Sequence, residues 1–130
     1  MSVTIEPIDP PSLPAPTGTY THGTVVTGGR RTVYVSGQVP WADADGHIPA
    51  DFTAQCRLVW RNVLAVLAGA GMGAENLVKV TTYLSDRRYR ADNARVREEV
   101  LSPHRPALTI VITGIYAEEW LLEIEAIAVG

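Results

Sequence analysis

Between Asp51 and Gly71 the apolar residues fall at helical spacing. Phe52, Cys56, Val59, Trp60, Val63, Val66, Leu67 and Ala70 step by three, four or one and define one broad apolar face. Leu58 and Leu64 widen that stripe, so the helix is expected to pack hard against a sheet. Asp51 is placed to cap its start and Gly71 to stop it. Cys56 and Trp60 lie on the apolar face and read as core. Leu77 to Leu84 then alternates and is rich in β-branched residues, which predicts a strand. A second helix is expected from about Tyr89 to Leu101, ending before Ser102-Pro103. Two closing strands are expected over Ala107–Thr113 and Trp120–Val129, joined by a loop around Gly114–Glu119.

Upstream, Val25-Val26 and Thr32-Val33-Tyr34-Val35-Ser36 flank Gly28-Gly29, which predicts a hairpin. Ala42 to Ala50 reads as a loop. Its Asp43-Ala44-Asp45-Gly46 lacks the remaining ligands of a calcium loop and reads as a plain turn. The segment to Thr17 holds five of the nine prolines and reads as an extended arm, with a candidate edge strand at Val3–Glu6. The predicted order is β-β-α-β-α-β-β, an α+β layout in one domain, with two helices covering one face of a mixed sheet. Both faces of the closing strands are rich in Leu, Ile and Val. The face away from the helices is therefore expected to need cover, and self-association is the simplest supply.

With 130 residues the chain holds a single core. No run of apolar residues is long enough to span a membrane, and the first residues carry no secretory signal. The lone cysteine excludes an internal disulfide and fits a reducing cytoplasm. A net charge of −3 argues against nucleic acid as a partner. Arg87, Arg88, Arg90, Arg95 and Arg97 cluster locally, but Asp86, Asp92, Glu98 and Glu99 balance them. That pattern reads as a solvated helix face and its entry loop.

Most familiar catalytic constellations are absent. There is no phosphate-cradling glycine loop and no Gly-x-Ser-x-Gly elbow, and His22, His47 and His104 have no metal-ligand spacing. No metal or cofactor is implied. What stands out is Leu121-Leu122-Glu123-Ile124-Glu125-Ala126. Glu123 and Glu125 project from one face of a strand, roughly 6–7 Å apart. Acids in such a run must meet solvent, a cation or a ligand.

Together with Gly18-Thr19-Tyr20-Thr21, Ser36-Gly37-Gln38-Val39-Pro40 and Arg105-Pro106-Ala107-Leu108-Thr109, this segment resembles the RidA/YjgF family over about Pro16 to Ala128. The resemblance implies a RidA-like, chorismate-mutase-like fold and a homotrimer with small-molecule clefts between neighbouring subunits. The activity it implies is hydrolysis of reactive enamines or imines. By the same resemblance Glu123 positions the hydrolytic water, Tyr20 contributes a hydroxyl at the pocket mouth, and Gly37 and Gln38 line the pocket. Thr21 and His22 stand where the family commonly has Ser and Gln. Tyr89 and Asn93 match an aromatic–x-x-x–Asn pair that serves the substrate. The family's Pro-Ala-Arg-Ser is here Pro106-Ala107-Leu108-Thr109, so the arginine that grips a substrate carboxylate is replaced by Leu108, which has no donor. That departure implies an altered substrate, without the usual carboxylate, handled by an apolar floor at Leu108 beside Thr109. Arg105, three residues upstream, is a candidate to reach a ligand from the rim. A non-catalytic ligand-binding or partner-interaction module on the same scaffold is the alternative.

Overall fold

The computed structural model describes residues 2–29, 31–40 and 47–130. The acidic turn Asp43–Gly46 lies outside the described residues. In chain order the elements are β1 (Thr4–Ile8), β2 (Gly23–Thr27), β3 (Thr32–Gln38), α1 (Phe52–Gly69), β4 (Leu77–Leu84), α2 (Arg90–Leu101), β5 (Ala107–Ile112) and β6 (Leu122–Val129). Short 3₁₀ turns at Ala74–Asn76 and Arg87–Tyr89 lead into β4 and α2. Four strands form one mixed sheet in the order β3-β6-β4-β5, antiparallel except for the parallel β4–β5 pair. The α+β class and the mixed sheet match the sequence expectation.

Strand β6 lies inside this sheet and shows why it is two-faced. Leu122, Ile124, Ala126 and Ala128 are buried under the helices, while Glu123 and Glu125 point the other way. Helix α1 lies across β3 and β6, and α2 packs beside it. Its capping residue is the expected one: the Asp51 carboxylate accepts from the Ala54 N–H at 3.0 Å. Gly71, just past its end, has φ +73°, a left-handed conformation that glycine adopts without a Cβ clash. Cys56, Val59, Trp60, Val63 and Leu67 are buried against the sheet. Val66, expected on the same stripe, is exposed instead, because it borders a cleft with Gly37, Gln38 and Asn62.

The predicted hairpin is not formed. Gly28 and Gly29 do turn the chain, with φ +76° and +88°, but β2 pairs with β1 and β3 pairs with β6. The two-stranded β1–β2 sheet is antiparallel, with Thr4 opposite Thr27 and Ile8 opposite Gly23. A glycine pair determines that the chain reverses, whereas strand partners are set by whatever free edge the fold supplies. The small sheet is moored to the large one by the Thr24 hydroxyl, which donates to the Val78 carbonyl, and by the Thr21 N–H, which donates to Pro106.

The face opposite the helices is also more polar than the closing strands alone suggest. Alongside Ile127 and Val111 it carries Glu123, Glu125, Lys79, Thr81, Tyr83 and Thr109. Lys79 Nζ donates to Thr109 Oγ1 at 2.5 Å, and the Tyr83 hydroxyl donates to Glu125 at 2.6 Å. Such cross-strand partners let a sheet face hold charge without cover.

Gln55 connects the helix to the approach of β6. Its amide nitrogen donates to the carbonyls of Pro49 at 2.8 Å and Glu119 at 3.0 Å, and its oxygen accepts from the Leu121 N–H at 2.9 Å. The side chain is 1% exposed, so water cannot substitute for these partners. Gln55→Leu should strand three backbone groups and lower the unfolding free energy by about 2–4 kcal/mol, read as a shifted urea midpoint. A midpoint unchanged from wild type would show that the linkage is dispensable.

Candidate functional site

The residues singled out in the sequence fall into two groups on opposite sides of the large sheet. The parity of the strands decides this. Leu108 is in register with Val80, which is buried under the helices, so Leu108 faces the helical side. Glu123 is in register with Tyr83 on the other side. Within one chain Glu123 and Leu108 therefore do not share a pocket.

On the helical side, a cavity of about 590 Å³ opens between the segment Thr17–Tyr20, helix α2 and the edge strand β5. Tyr20 and Leu108 both line it, and Thr19 closes one wall by donating from its hydroxyl to the Glu98 carboxylate at 2.5 Å. The segment is held from outside by the arm. Asp9 accepts from the Thr21 hydroxyl and the His22 N–H, both at 2.8 Å, and Arg105 approaches it at 3.6 Å. The His22 hydrogen bond, then Thr21 and Arg105, hold the Asp9 carboxyl below its usual range. Arg105, the candidate rim residue, is thus engaged with the arm. Tyr20 meets the His22 ring edge-on at 6.2 Å.

The same cavity is lined by Arg97. It does not lie on a solvated face with the other arginines of its cluster; it is 6% exposed. Arg95 fits that earlier reading, pairing with Asp92 at 2.8 Å, as does Arg88 beside Asp86. Burial pushes the Arg97 guanidinium below its usual range, against the pull of Glu98. The signal for its burial was present in the sequence. Asn93, Val96, Arg97, Val100 and Leu101 follow the i, i+3, i+4, i+7, i+8 spacing of an inward face, and two of those five positions are polar.

On the other side of the sheet, the Glu123 carboxyl rests against Gly37. A Cβ added at position 37 would run into Glu123 Oε2, so only glycine leaves room for that carboxyl. Among the described residues no hydrogen bond or ion pair reaches Glu123, whereas Glu125 is held by Tyr83, whose own hydroxyl is pushed up by that bond. Gln38 follows at the bulge where β3 slips against β6, and its amide donates to the Ser36 carbonyl. Thr109 lies on this side too, tied to Lys79.

Tyr89 and Asn93 are not presented side by side. Tyr89 precedes α2, stacks on Phe52 at 4.4 Å, and its hydroxyl accepts from Arg88. Asn93 is buried between the helices, its Oδ1 3.8 Å from Cys56 Sγ. His104 is occupied with the Leu77 carbonyl at 2.7 Å. Among the described residues no group of three His, Cys, Asp or Glu side chains could hold a metal ion, and no helix is long and apolar enough to cross a membrane.

A mixed sheet backed by two helices, with a glycine-cradled acid on β6, defines an α+β protein of one large and one small sheet. The family model described as "Endoribonuclease L-PSP" matches residues 11–130, and the chain belongs to this family, known also as RidA/YjgF. A RutC family protein of Haemophilus influenzae is 40% identical over 101 residues, spanning 75% of this chain and 78% of its own length. The 2-iminobutanoate/2-iminopropanoate deaminase of Escherichia coli is 32% identical over 121 residues, spanning 91% and 92%. Among solved structures, the Rid family protein YyfB from Yersinia pestis superposes with a TM-score of 0.84 at 26% identity, covering 97% of this chain and 98% of its own.

Cys56 is excluded from the chemistry by its surroundings. Burial pushes its thiol up to about 12, so it stays protonated at physiological pH. Because the unfolded thiol ionises near pH 9, its contribution to stability is full below that and is lost as pH rises towards 12. Ellman's reagent at pH 8 should leave the native protein unlabelled and react with one thiol per chain after unfolding. Rapid native labelling would mean that α1 opens readily.

Proposed function

We propose that this protein hydrolyses a small reactive imine or enamine, with a substrate selection altered from that of its arginine-bearing relatives. The observation that carries the reading is the Glu123 carboxyl, seated against Gly37 and, among the described residues, left without a hydrogen bond or ion pair while its neighbour Glu125 is tied to Tyr83. Such a carboxylate is free to hold a water. The water adds to the carbon of the protonated imine, giving up its proton to Glu123. The same carboxyl then returns that proton to the nitrogen, the C–N bond breaks and ammonia leaves, while the carbinol hydroxyl gives its proton to Glu123 and becomes the carbonyl. Tyr20 supplies a hydroxyl from the cavity on the other side of the sheet. Leu108, in place of a strand arginine, gives that cavity an apolar wall.

Since Glu123 and Leu108 occupy opposite faces of one chain, a complete cleft joins the Glu123 side of one subunit to the Tyr20 side of another. A homotrimer, the assembly the family resemblance implies, supplies this. The exposed Ile110 and Ile112 on edge strand β5 and Tyr34 on the far face support an interface. The relative named as a 2-iminobutanoate/2-iminopropanoate deaminase supports the reaction class. An RNA-cleaving activity has less support: the chain is net negative, and four of its exposed arginines are spent on carboxylates or arm contacts. The second reading, a ligand-binding module without catalysis, rests on Leu108 alone.

Ammonia release from freshly generated imines, acidic and neutral, tests the proposal. Glu123→Gln should lower kcat/KM by about 10²-fold or more, and Glu125→Gln by far less. Equal losses would show that the two acids act as a unit, and activity in neither the wild type nor the variants would favour the binding module. Light scattering at micromolar concentration should give the mass of a trimer. A clean monomer would leave the cleft incomplete and the mechanism unsupported.

A further inference from the structure

Four exposed or half-exposed arginines of this chain are paired while a buried one is not. Arg57, which is half exposed, pairs with Glu99 at 3.0 Å; Arg95, Arg88 and Arg105 likewise face carboxylates. Among the described residues Arg97 is the buried arginine; its Nε and Nη1 have no hydrogen-bond partner there and no carboxylate stands within ion-pair reach. Two nitrogens of this guanidinium are thus withheld from water without a partner, which is disfavoured unless an acceptor completes the group. Glu98, next in sequence, is occupied by the Thr19 hydroxyl. One turn earlier, Asn93 Nδ2 is also buried without a partner, so the inward face of α2 holds two sets of unused donors.

Arg97 lines the cavity that also contains Tyr20 and Leu108. Its Nη2 lies beside the wall residue Gly18, 3.8 Å from where a Cβ of residue 18 would stand. Arg90 and Arg95 add positive charge to the same wall. We infer that Arg97 is the anion anchor of this cavity, binding the carboxylate of a small 2-imino or 2-oxo acid from helix α2. This inference rests on the reading of the cavity as part of an imine-processing cleft. It replaces the expectation of a substrate without a carboxylate: the grip that Leu108 cannot make from the strand is made from the helix. A guanidinium offers paired, coplanar N–H donors that match the two oxygens of a carboxylate, which an amide cannot copy.

Calorimetric titration of the full chain with pyruvate and with its neutral analogue pyruvamide tests the anchor without requiring turnover. Pyruvate should bind roughly tenfold to a hundredfold more tightly. The preference should vanish in Arg97→Met and survive in part in Arg97→Lys, with thermal melting used to confirm that each variant folds. Should Arg97→Met not fold, the two ligands on the wild type and on Arg97→Lys decide the matter. Equal affinity for pyruvate and pyruvamide, or an undiminished preference in Arg97→Met, would overturn the inference. Inorganic phosphate displacing pyruvate at lower concentration would overturn the choice of a carboxylate. Turnover is read separately. A protein that holds pyruvate through Arg97 but hydrolyses no imine keeps the anchor and loses the hydrolase reading. One that hydrolyses acidic and neutral imines with equal kcat/KM, whatever stands at position 97, loses the anchor alone.

Discussion

The two-residue period of β6 is the constraint on which the rest depends. Because successive side chains leave a strand on opposite faces, Leu122, Ile124, Ala126 and Ala128 can enter the core only if Glu123 and Glu125 leave it. A one-residue slip against β4 would bury both acids and expose the apolar set. That exchange is so unfavourable that the register is effectively single-valued. Its neighbours inherit it: β4 sets Tyr83 opposite Glu123, and β5 sets Leu108 beside Val80. The separation of acid and leucine onto different faces is thus a consequence of core packing.

Polar groups inside this fold divide into those with partners and those without, and the division follows role. Gln55 spends both ends of its amide on backbone groups and acts as a structural tie between α1 and β6. Asp9 does the same for the arm and the Tyr20 segment. Among the described residues Glu123, Arg97 and the side-chain N–H groups of Asn93 and Trp60 lack such partners; Glu123 is seated against a glycine and Arg97 is buried at a cavity wall. Groups held away from protein partners at this cost are where function is to be sought.

Position 108 bears on where a ligand could be gripped in this chain. Leu108 packs partly against the core and offers no donor, so any polar recognition there must come from another element. Helix α2 can supply it because its inward face is poorly apolar. With Asn93 and Arg97 among its buried positions, it is held by Val96, Leu101 and its contact with α1. A helix packed this way gives up some hydrophobic stabilisation in exchange for donors inside the molecule.

Much of this was legible in the chain itself. Helix α1, its Asp51 cap, the Gly71 stop, strand β4 and the shared face of Glu123 and Glu125 all follow from spacing and local backbone chemistry, which act over a few residues. The resemblance to the family implied that Gly37 lines a pocket, whereas the contact between Gly37 and the Glu123 carboxyl appears only in the folded chain. Pairing was not legible at the glycine turn: Gly28 and Gly29 reverse the chain, but only the assembled sheets determine that β2 joins β1 and β3 joins β6. Nor could a list of charged residues separate Arg97 from the arginines around it. Which face of a helix is inward can be read from sequence, but whether a buried guanidinium finds a partner there depends on groups distant in the chain, and those meet only in the folded molecule.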